Sequence, residues 1–234
     1  GSITVAGNNN RIVRLECIFY SSTPSAAVDI SGNTVGSSTV ANSIQQTSAT
    51  FNFLLTGIHS AINTVNVTFN NNLISNLRLI STGASSRIRG LYQNRSTNAP
   101  ITITNNTVRE MYCASSSTDR FPDNTSMVGI FTGSSSSSQT VTGNTISGLY
   151  GTGNSNSYVM GFAFYNNVAK GTFQRNRIFN LNHTSTTGAP KIWAINAFWG
   201  SWNFYNNQIS LTNGEASDNY VPQPNNNSSL ITNS

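Results

Sequence analysis

Short runs of alternating apolar and polar residues, separated by bends rich in Asn and Gly, extend along most of the chain. One sequence motif, which we call the Asn phrase, recurs seven times. It consists of an Asn, any residue, an apolar residue and, in most copies, Leu or Met three positions later. The asparagines that open it are Asn10, Asn33, Asn72, Asn106, Asn144, Asn176 and Asn207. The residues before the Asn alternate as well, as in Val67-Thr68-Phe69. This period of two predicts half-buried β-strands on both sides of each Asn.

The spacing of the phrase indicates a solenoid with loops of variable length. Successive asparagines are 23 to 39 residues apart, which is too irregular for a propeller blade or a helical repeat. Each turn then holds one strand that ends at the Asn, a second strand after the bend, and a third strand reached through a loop. The third strand recurs as Thr56-Gly57-Ile58, Arg89-Gly90-Leu91-Tyr92, Val128-Gly129-Ile130-Phe131, Met160-Gly161-Phe162 and Ile195-Asn196-Ala197-Phe198.

The Asn at each bend has a structural use. Asn tolerates the left-handed backbone conformation, and its amide can bond both the backbone and the identical amide one coil away. Coils of a parallel β-solenoid are stacked about 4.8 Å apart, which is close enough for such amides to form a ladder. We therefore expect the asparagines to lie in one line along the axis.

The composition supports an all-β chain and argues against nucleic-acid binding and membrane insertion. Only 8% of the residues are charged, while Val, Ile, Phe, Tyr and Thr recur between Asn-, Gly- and Ser-rich breaks. The net charge of +5 comes from basic residues that are scattered rather than clustered, which is not typical of a nucleic-acid-binding surface. No apolar run is long enough to cross a membrane, so membrane insertion is not expected.

The repeat resembles the right-handed parallel β-helix of the pectate-lyase-like superfamily, and the asparagines from Asn33 onward resemble its asparagine ladder. The segments Ile-Thr-Asn-Asn-Thr-Val and Val-Thr-Gly-Asn-Thr-Ile are most similar in sequence to non-catalytic β-helix regions of very large secreted bacterial surface proteins and adhesins. The resemblance covers roughly residues 5 to 211. It implies a fold and a class of protein, because the same solenoid serves enzymes, tailspikes, adhesins and stalks.

The expected architecture is a right-handed parallel β-helix of about seven coils with an asparagine ladder. Residues 1–234 form a single β-helix domain, interpreted as a fragment of a longer solenoid, in which residues 213–234 are an irregular polar segment. Both ends of a solenoid need a cap, and no capping helix is visible in the sequence. Coils are therefore expected to stack end to end on neighbouring repeats or on a second copy.

The function expected from this resemblance is that of a structural or adhesive region of an extracellular or cell-surface bacterial protein, without catalysis. The alternative is a β-helix that binds or degrades polysaccharide, as a lyase or a hydrolase does. Surface glycans are possible partners under either hypothesis. No cofactor is expected.

The sequence offers few candidates for an active site. Polysaccharide lyases of this fold need clustered carboxylates for calcium, and hydrolases need convergent aspartates. No two of the seven carboxylates fall at matching positions of adjacent coils. The best remaining candidates are Asp119 and Asp123 in a long loop, as a cation or sugar site or as a polar surface loop. Neither His59 nor His183 has a candidate nucleophile or a second metal-ligating residue near it in the sequence.

Aromatic residues near the Gly-containing strand are the predicted binding residues. Both faces of this strand are apolar, so its outer face has to be covered by loops, by a partner protein or by glycan. Glycines on the outer face with aromatic rings beside them would form a groove in which sugar rings stack. The residues selected on this basis are Tyr92, Phe131, Phe198 and Trp199.

The two cysteines are expected to be free. Cys17 and Cys113 each follow a phrase asparagine by seven residues, which places them at one coil position in coils that are three steps apart. Three steps of about 4.8 Å exceed the roughly 7 Å allowed between the Cα atoms of a disulfide.

Overall fold

The chain folds into a parallel β-solenoid with no helix among the residues that the structure describes. The structure is a computed structural model, and it describes residues 3–5, 13–49, 51–62, 64–94, 99–121, 123–133, 138–153, 156–165, 170–185, 188–198, 200–211 and 231–233. Within these ranges, no helix has the length and apolar character needed to cross a membrane.

The solenoid is built from β-strands that follow one another around the axis. They are β1 (Ile3–Val5), β2 (Val13–Tyr20), β3 (Val28–Ser31), β4 (Thr34–Val35), β5 (Ile44–Gln46), β6 (Phe53–Ser60), β7 (Val67–Asn70), β8 (Leu73–Leu79), β9 (Arg87–Gln93), β10 (Ile101–Thr104), β11 (Thr107–Cys113), β12 (Met127–Thr132), β13 (Gln139–Thr142), β14 (Thr145–Gly151), β15 (Tyr158–Phe164), β16 (Gly171–Gln174), β17 (Arg177–His183), β18 (Lys191–Ala197), β19 (Trp202–Tyr205), β20 (Gln208–Ser210) and β21 (Ile231–Asn233).

These strands form three parallel sheets, one for each side of the coil. The Gly-strand sheet has the order β2-β6-β9-β12-β15-β18. The short-strand sheet runs β3-β7-β10-β13-β16-β19-β21, and the post-bend sheet runs β1-β5-β8-β11-β14-β17-β20 with β4 also paired to β8. Every pairing between these strands is parallel, and each strand pairs with the equivalent strand one coil away. The predicted all-β parallel solenoid is confirmed.

The described residues form four complete coils, so the expected number of about seven is wrong. They are β6–β8, β9–β11, β12–β14 and β15–β17, and in each a strand of six to eight residues is followed by one of four and one of seven. The turns at both ends are less regular. In the first turn the third strand is divided into β4 and β5, and in the last turn β20 has three residues.

The strand after the first copy of the phrase lies in a different sheet from the one that the repeat predicts. Asn10 lies outside the described residues, and the strand after it, β2, pairs with β6 in the Gly-strand sheet. Cys17 therefore lies in a different sheet from Cys113, which belongs to β11. Both cysteines are free, as expected, although the shared coil position used to predict this is wrong. Burial raises the pKa of Cys17 to about 11 and that of Cys113 to about 12, so both thiols are unreactive at neutral pH.

The C-terminal segment 213–234 lies mostly outside the described residues. The part that the structure describes is β21, which pairs in parallel with β19.

The asparagine ladder is continuous from Asn33 to Asn207. Each side-chain Nδ2 donates to the Oδ1 of the next asparagine at 2.8–3.1 Å, and the backbone N–H of the same residue donates to that oxygen at 2.9–3.0 Å. From Asn72 onward, Nδ2 also donates to a carbonyl of the short-strand sheet. The ladder residues are, in order, Asn33, Asn72, Asn106, Asn144, Asn176 and Asn207.

The left-handed conformation at the bend belongs to the residue before the ladder asparagine. Positive φ angles of 50–68° occur there in every coil from the first, at Gly32, Asn71, Asn105, Gly143, Arg175 and Asn206. The ladder asparagine keeps an ordinary backbone and uses its amide for the axial hydrogen bonds instead. Its predicted role in tolerating a left-handed bend is therefore wrong, although the predicted ladder is confirmed.

The glycines of the Gly-strand sheet face the core rather than solvent. A Cβ atom on Gly57 would lie 2.6 Å from Ile74, and one on Gly90 would lie 2.6 Å from Val108, inside van der Waals contact. The expected groove of outward glycines is therefore wrong. Glycine at these positions lets two sheets approach closely, and the following residue, as at Ile58, also faces inward.

We predict that Asn106→Ala lowers the free energy of unfolding by about 3 kcal/mol or more, because it leaves several buried polar groups on two neighbouring coils without partners. Chemical denaturation followed by circular dichroism measures this change. The control is Asn66→Ala, since Asn66 is exposed and its side chain forms no hydrogen bond with a described residue. Equal losses in the two variants would contradict a stabilising role for the ladder.

Candidate functional site

The outer face of the Gly-strand sheet changes character along the solenoid axis. Two outward columns cross its six strands. One contains Glu16, Thr56, Arg89, Val128, Met160 and Trp193, and the other contains Phe19, His59, Tyr92, Phe131, Ala163 and Asn196. Polar residues predominate on β2, β6 and β9, while apolar residues predominate on β12 and β15. The backbone is equivalent in all these coils, so the change originates in the side chains.

The apolar half of this face forms a second hydrophobic cluster, which is covered by the chain itself. Val128, Phe131, Met160 and Ala163 are fully buried although they face away from the main core. The loop between β11 and β12, residues 114–126, carries Phe121 onto this side of the sheet. Of the three coverings considered from the sequence, packing by a loop of the same chain is the one found here.

Two of the four predicted binding residues are in contact, and the three that the structure describes are enclosed. Tyr92 and Phe131 stack with ring centroids 4.8 Å apart, and their exposed fractions are 2% and 0%. Phe198 is 8% exposed and packs against Phe121 and Tyr165 at 5.1 and 5.4 Å. Phe198 follows β18, whose residue in the Phe131 column is Asn196. Trp199 lies outside the described residues. Ligand binding by these four residues stays a prediction, and sugar stacking would require the loop to move.

The polar half of the face forms a cleft of about 170 Å³, which we call the polar cleft. Strands β2, β6 and β9 supply its floor, and the loop 114–126 supplies one wall. Its lining residues are Arg14, Glu16, Leu54, His59, Arg87, Arg89, Tyr92, Asn94, Asp123 and Asn124.

A Glu–His pair connects the first two strands of the polar cleft. The Nδ1 atom of His59 lies 2.9 Å from Oε1 of Glu16, and both side chains are largely buried. A carboxylate can only accept, so Nδ1 carries the proton and Nε2 of the neutral ring is left as an acceptor. Nε2 is buried without a hydrogen-bond partner among the described residues. Burial lowers the pKa of His59 and the hydrogen bond to Glu16 opposes this change, so the ring is neutral at pH 7.

Asp123 connects the loop to the floor of the polar cleft. Its carboxylate accepts a hydrogen bond from the Tyr92 hydroxyl and lies 3.8 Å from the Arg89 guanidinium. Its backbone oxygen accepts from Arg89 and, at 3.1 Å, from Arg87. The Arg89 guanidinium also stacks over the Tyr92 ring at 3.7 Å. Burial raises the pKa of Tyr92 and the hydrogen bond to Asp123 adds to this, so the phenol stays protonated.

The two loop aspartates have different roles in the structure. Asp123 pairs with Tyr92 and Arg89, whereas Asp119 accepts a hydrogen bond from the backbone N–H of Phe121 at 2.9 Å, which is a local turn contact. Among the described residues no group of three His, Cys, Asp or Glu side chains is arranged to hold a metal ion. Cation binding by these aspartates therefore stays a prediction.

His183 forms a hydrogen-bonded pair with Ser157, whose Oγ lies 2.7 Å from Nε2. The backbone N–H of Ser185 donates to Nδ1 at 3.2 Å, so Nδ1 is an acceptor and the proton of the neutral ring is on Nε2. His183 then donates to Ser157 and does not accept its proton, which is the opposite of what activation of a serine nucleophile requires. This pair is a structural contact between β17 and the start of β15.

Comparisons with protein-family models, with curated proteins and with solved structures each found no match.

Sequence reasoning missed the polar cleft because its members come from three coils and a loop. Glu16 and His59 are 43 residues apart, and only the pairing of β2 with β6 brings them into diagonal contact. A usable signal was present in the alignment of Val13-Arg14-Leu15-Glu16 with Phe53-Leu54-Leu55-Thr56. The phrase at Asn10 predicts instead that these residues align with the strands after the bend.

We predict that His183 titrates with a pKa of about 4, because burial disfavours its charged form. Its folded pKa lies below the ordinary value of 6.5, so the stability it contributes is complete above pH 6.5 and declines as the pH falls toward 4. Two-dimensional NMR of the imidazole protons measures the titration directly, since the chain has two histidines. His183→Gln assigns the signal and should reduce the loss of thermal stability between pH 6.5 and 4. His59→Gln is the matched control, and a His183 pKa near 6.5 would contradict the prediction.

Proposed function

We propose that this chain is a structural or adhesive β-helix region of an extracellular bacterial surface or filament protein, without catalysis of its own. The observation that carries the proposal is the uninterrupted asparagine ladder, which joins successive coils into one continuous rod. A rod of this kind displays residues at fixed intervals along its sides and transmits force along its axis.

The outer face of the short-strand sheet supports the same proposal. Thr68, Thr102, Thr140 and Thr172 form one outward column at coil spacing, which begins at Asp29 on β3 and continues to Asn203 on β19. A flat face of hydroxyl groups with little charge is suited to display in the extracellular environment. The sequence of the repeat resembles β-helix repeats of large secreted bacterial proteins, and this resemblance also favours a structural or adhesive extracellular protein.

A second candidate function is binding or cleavage of polysaccharide. The polar cleft favours it, because Glu16, His59 and Asp123 place titratable groups beside guanidinium groups in a concave site. The arrangement nevertheless lacks two carboxylates that face one another, since Glu16 is engaged by His59 and Asp123 by Tyr92.

We predict that antibodies raised against the chain label intact cells of its source bacterium without permeabilisation, because the proposed location is extracellular. Flow cytometry measures the labelling, and antibodies to a cytosolic protein provide the control. Labelling that appears only after permeabilisation would contradict the location. Release of unsaturated, ultraviolet-absorbing products from polygalacturonate with Ca²⁺ would favour the second candidate.

End-to-end association is the proposed mode of assembly. The inward-facing residues of the first and last described turns support it, because they are incompletely buried. Ile209 continues the buried column of Ile146 and Ile178 but is 46% exposed, since no described strand pairs with β20 on its far side. At the other end, Val13 and Leu15 are partly exposed, whereas their partners Phe53 and Leu55 are fully buried.

We predict that Ile209→Lys weakens self-association of the chain, because it places a charge where the apolar column would continue into a second copy. Sedimentation velocity over a range of protein concentrations measures the association. The control is Phe179→Lys, which adds the same charge on the lateral outer surface of β17. Equal association of wild type and Ile209→Lys would argue against end-to-end stacking.

A further inference from the structure

The polar cleft carries more hydrogen-bond donors than its described residues accept. The guanidinium groups of Arg14, Arg87 and Arg89 each present a fork of N–H donors. Arg87 and Arg89 share the backbone oxygen of Asp123, and the Nε atom of each is buried without a partner among the described residues. The Nε atoms of Arg78 and Arg109, on β8 and β11, also lack a described partner, but only Arg87 and Arg89 line a concave site. Buried polar atoms in folded proteins rarely lack partners, so at this site a bound ligand can supply the acceptors.

The net charge of the cleft also favours a ligand that supplies acceptors. Three arginines face two carboxylates, and both carboxylates are already engaged, Glu16 by His59 and Asp123 by Tyr92 and Arg89. His59 adds no charge at neutral pH, because burial lowers its pKa. The cleft therefore has a net positive charge, and Arg14 forms no ion pair with a described residue.

The accessible arginines are placed on two sides of an apolar floor. Arg14, Leu54 and Arg87 occupy one column on β2, β6 and β9, so the two arginines are two strand spacings apart, about 9.6 Å at the backbone. Arg14 is exposed, Arg87 is half-buried, and Leu54 between them is buried. The amides of Asn94 and Asn124 complete the rim.

We propose that the polar cleft binds the oxyanion group of a small ligand between Arg14 and Arg87. The fork of a guanidinium matches two oxygens of a carboxylate, a sulfate or a phosphate, and these three groups share the chemistry that the site lacks. Leu54 provides an apolar surface for the carbon skeleton that carries the anion. Arg89, Tyr92 and Asp123 hold the loop wall in position.

The test is a titration of the wild-type chain with succinate, sulfate and phosphate, each at constant ionic strength maintained with sodium chloride. The imidazole NMR signals of His59 report binding, because its ring lines the same cleft. We expect at least one of the three anions to shift these signals with saturation, and the effective anion identifies the group. The absence of a saturable shift with all three anions would overturn the proposal.

The variant Arg14→Gln should weaken binding of the effective anion by about tenfold, which corresponds to about 1.4 kcal/mol. Arg14 is exposed, so the fold should persist, and a thermal melt checks this. Arg87→Gln provides a second, independent loss at the other side of Leu54. Arg177→Gln is the matched control, because it removes one exposed positive charge from β17 in a different sheet. An equal loss in the control would overturn the proposal in favour of general electrostatic attraction.

Discussion

The hydrogen bond between asparagine amides of successive coils is the interaction on which the rest of the structure depends. It joins each bend to the next at 2.8–3.1 Å and also fixes the short-strand sheet, because the same amides donate to its carbonyls. Since a single bend position is fixed in every coil, the strands on both sides start in register. The loops elsewhere in the coil are then free to vary in length.

Within the four complete coils, the longest such loop connects β11 to β12. Because the bend already sets the register, residues 114–126 are not needed to align the strands and can pack on the outer face of the Gly-strand sheet. Phe121 packs against Tyr165 and Phe198 at the margin of the apolar cluster, while the backbone oxygen of Asp123 accepts hydrogen bonds from Arg87 and Arg89 in the polar cleft. One loop thus packs on the apolar part of the outer face and also forms a wall of the polar cleft.

The strands and the ladder could be predicted from the sequence because both depend on local, repeated signals. The alternation around Val67-Thr68-Phe69 and the recurrence of the Asn phrase are visible without knowledge of the fold. Three features were not predictable in this way. The left-handed residue at the bend changes type from Asn71 to Gly143 to Arg175, the inward direction of Gly57 depends on a neighbouring sheet, and the Glu16–His59 contact depends on a strand pairing across 43 residues.

The fold does not require the polar side chains on the outer face of the Gly-strand sheet. The same columns hold Val128 and Met160 in later coils, so apolar residues are structurally sufficient at the positions of Arg89 and Glu16. Burying Arg89 removes its charge from water, and such groups are often replaced by apolar residues without loss of stability. Where residues depart from the rule that the rest of a repeat follows, and stability does not explain the departure, function is the remaining explanation. The charged members of these columns, Glu16 and Arg89, both line one cleft together with Arg14 and Arg87, and this is why the cleft, rather than the enclosed aromatic residues, is the first place to look for a ligand.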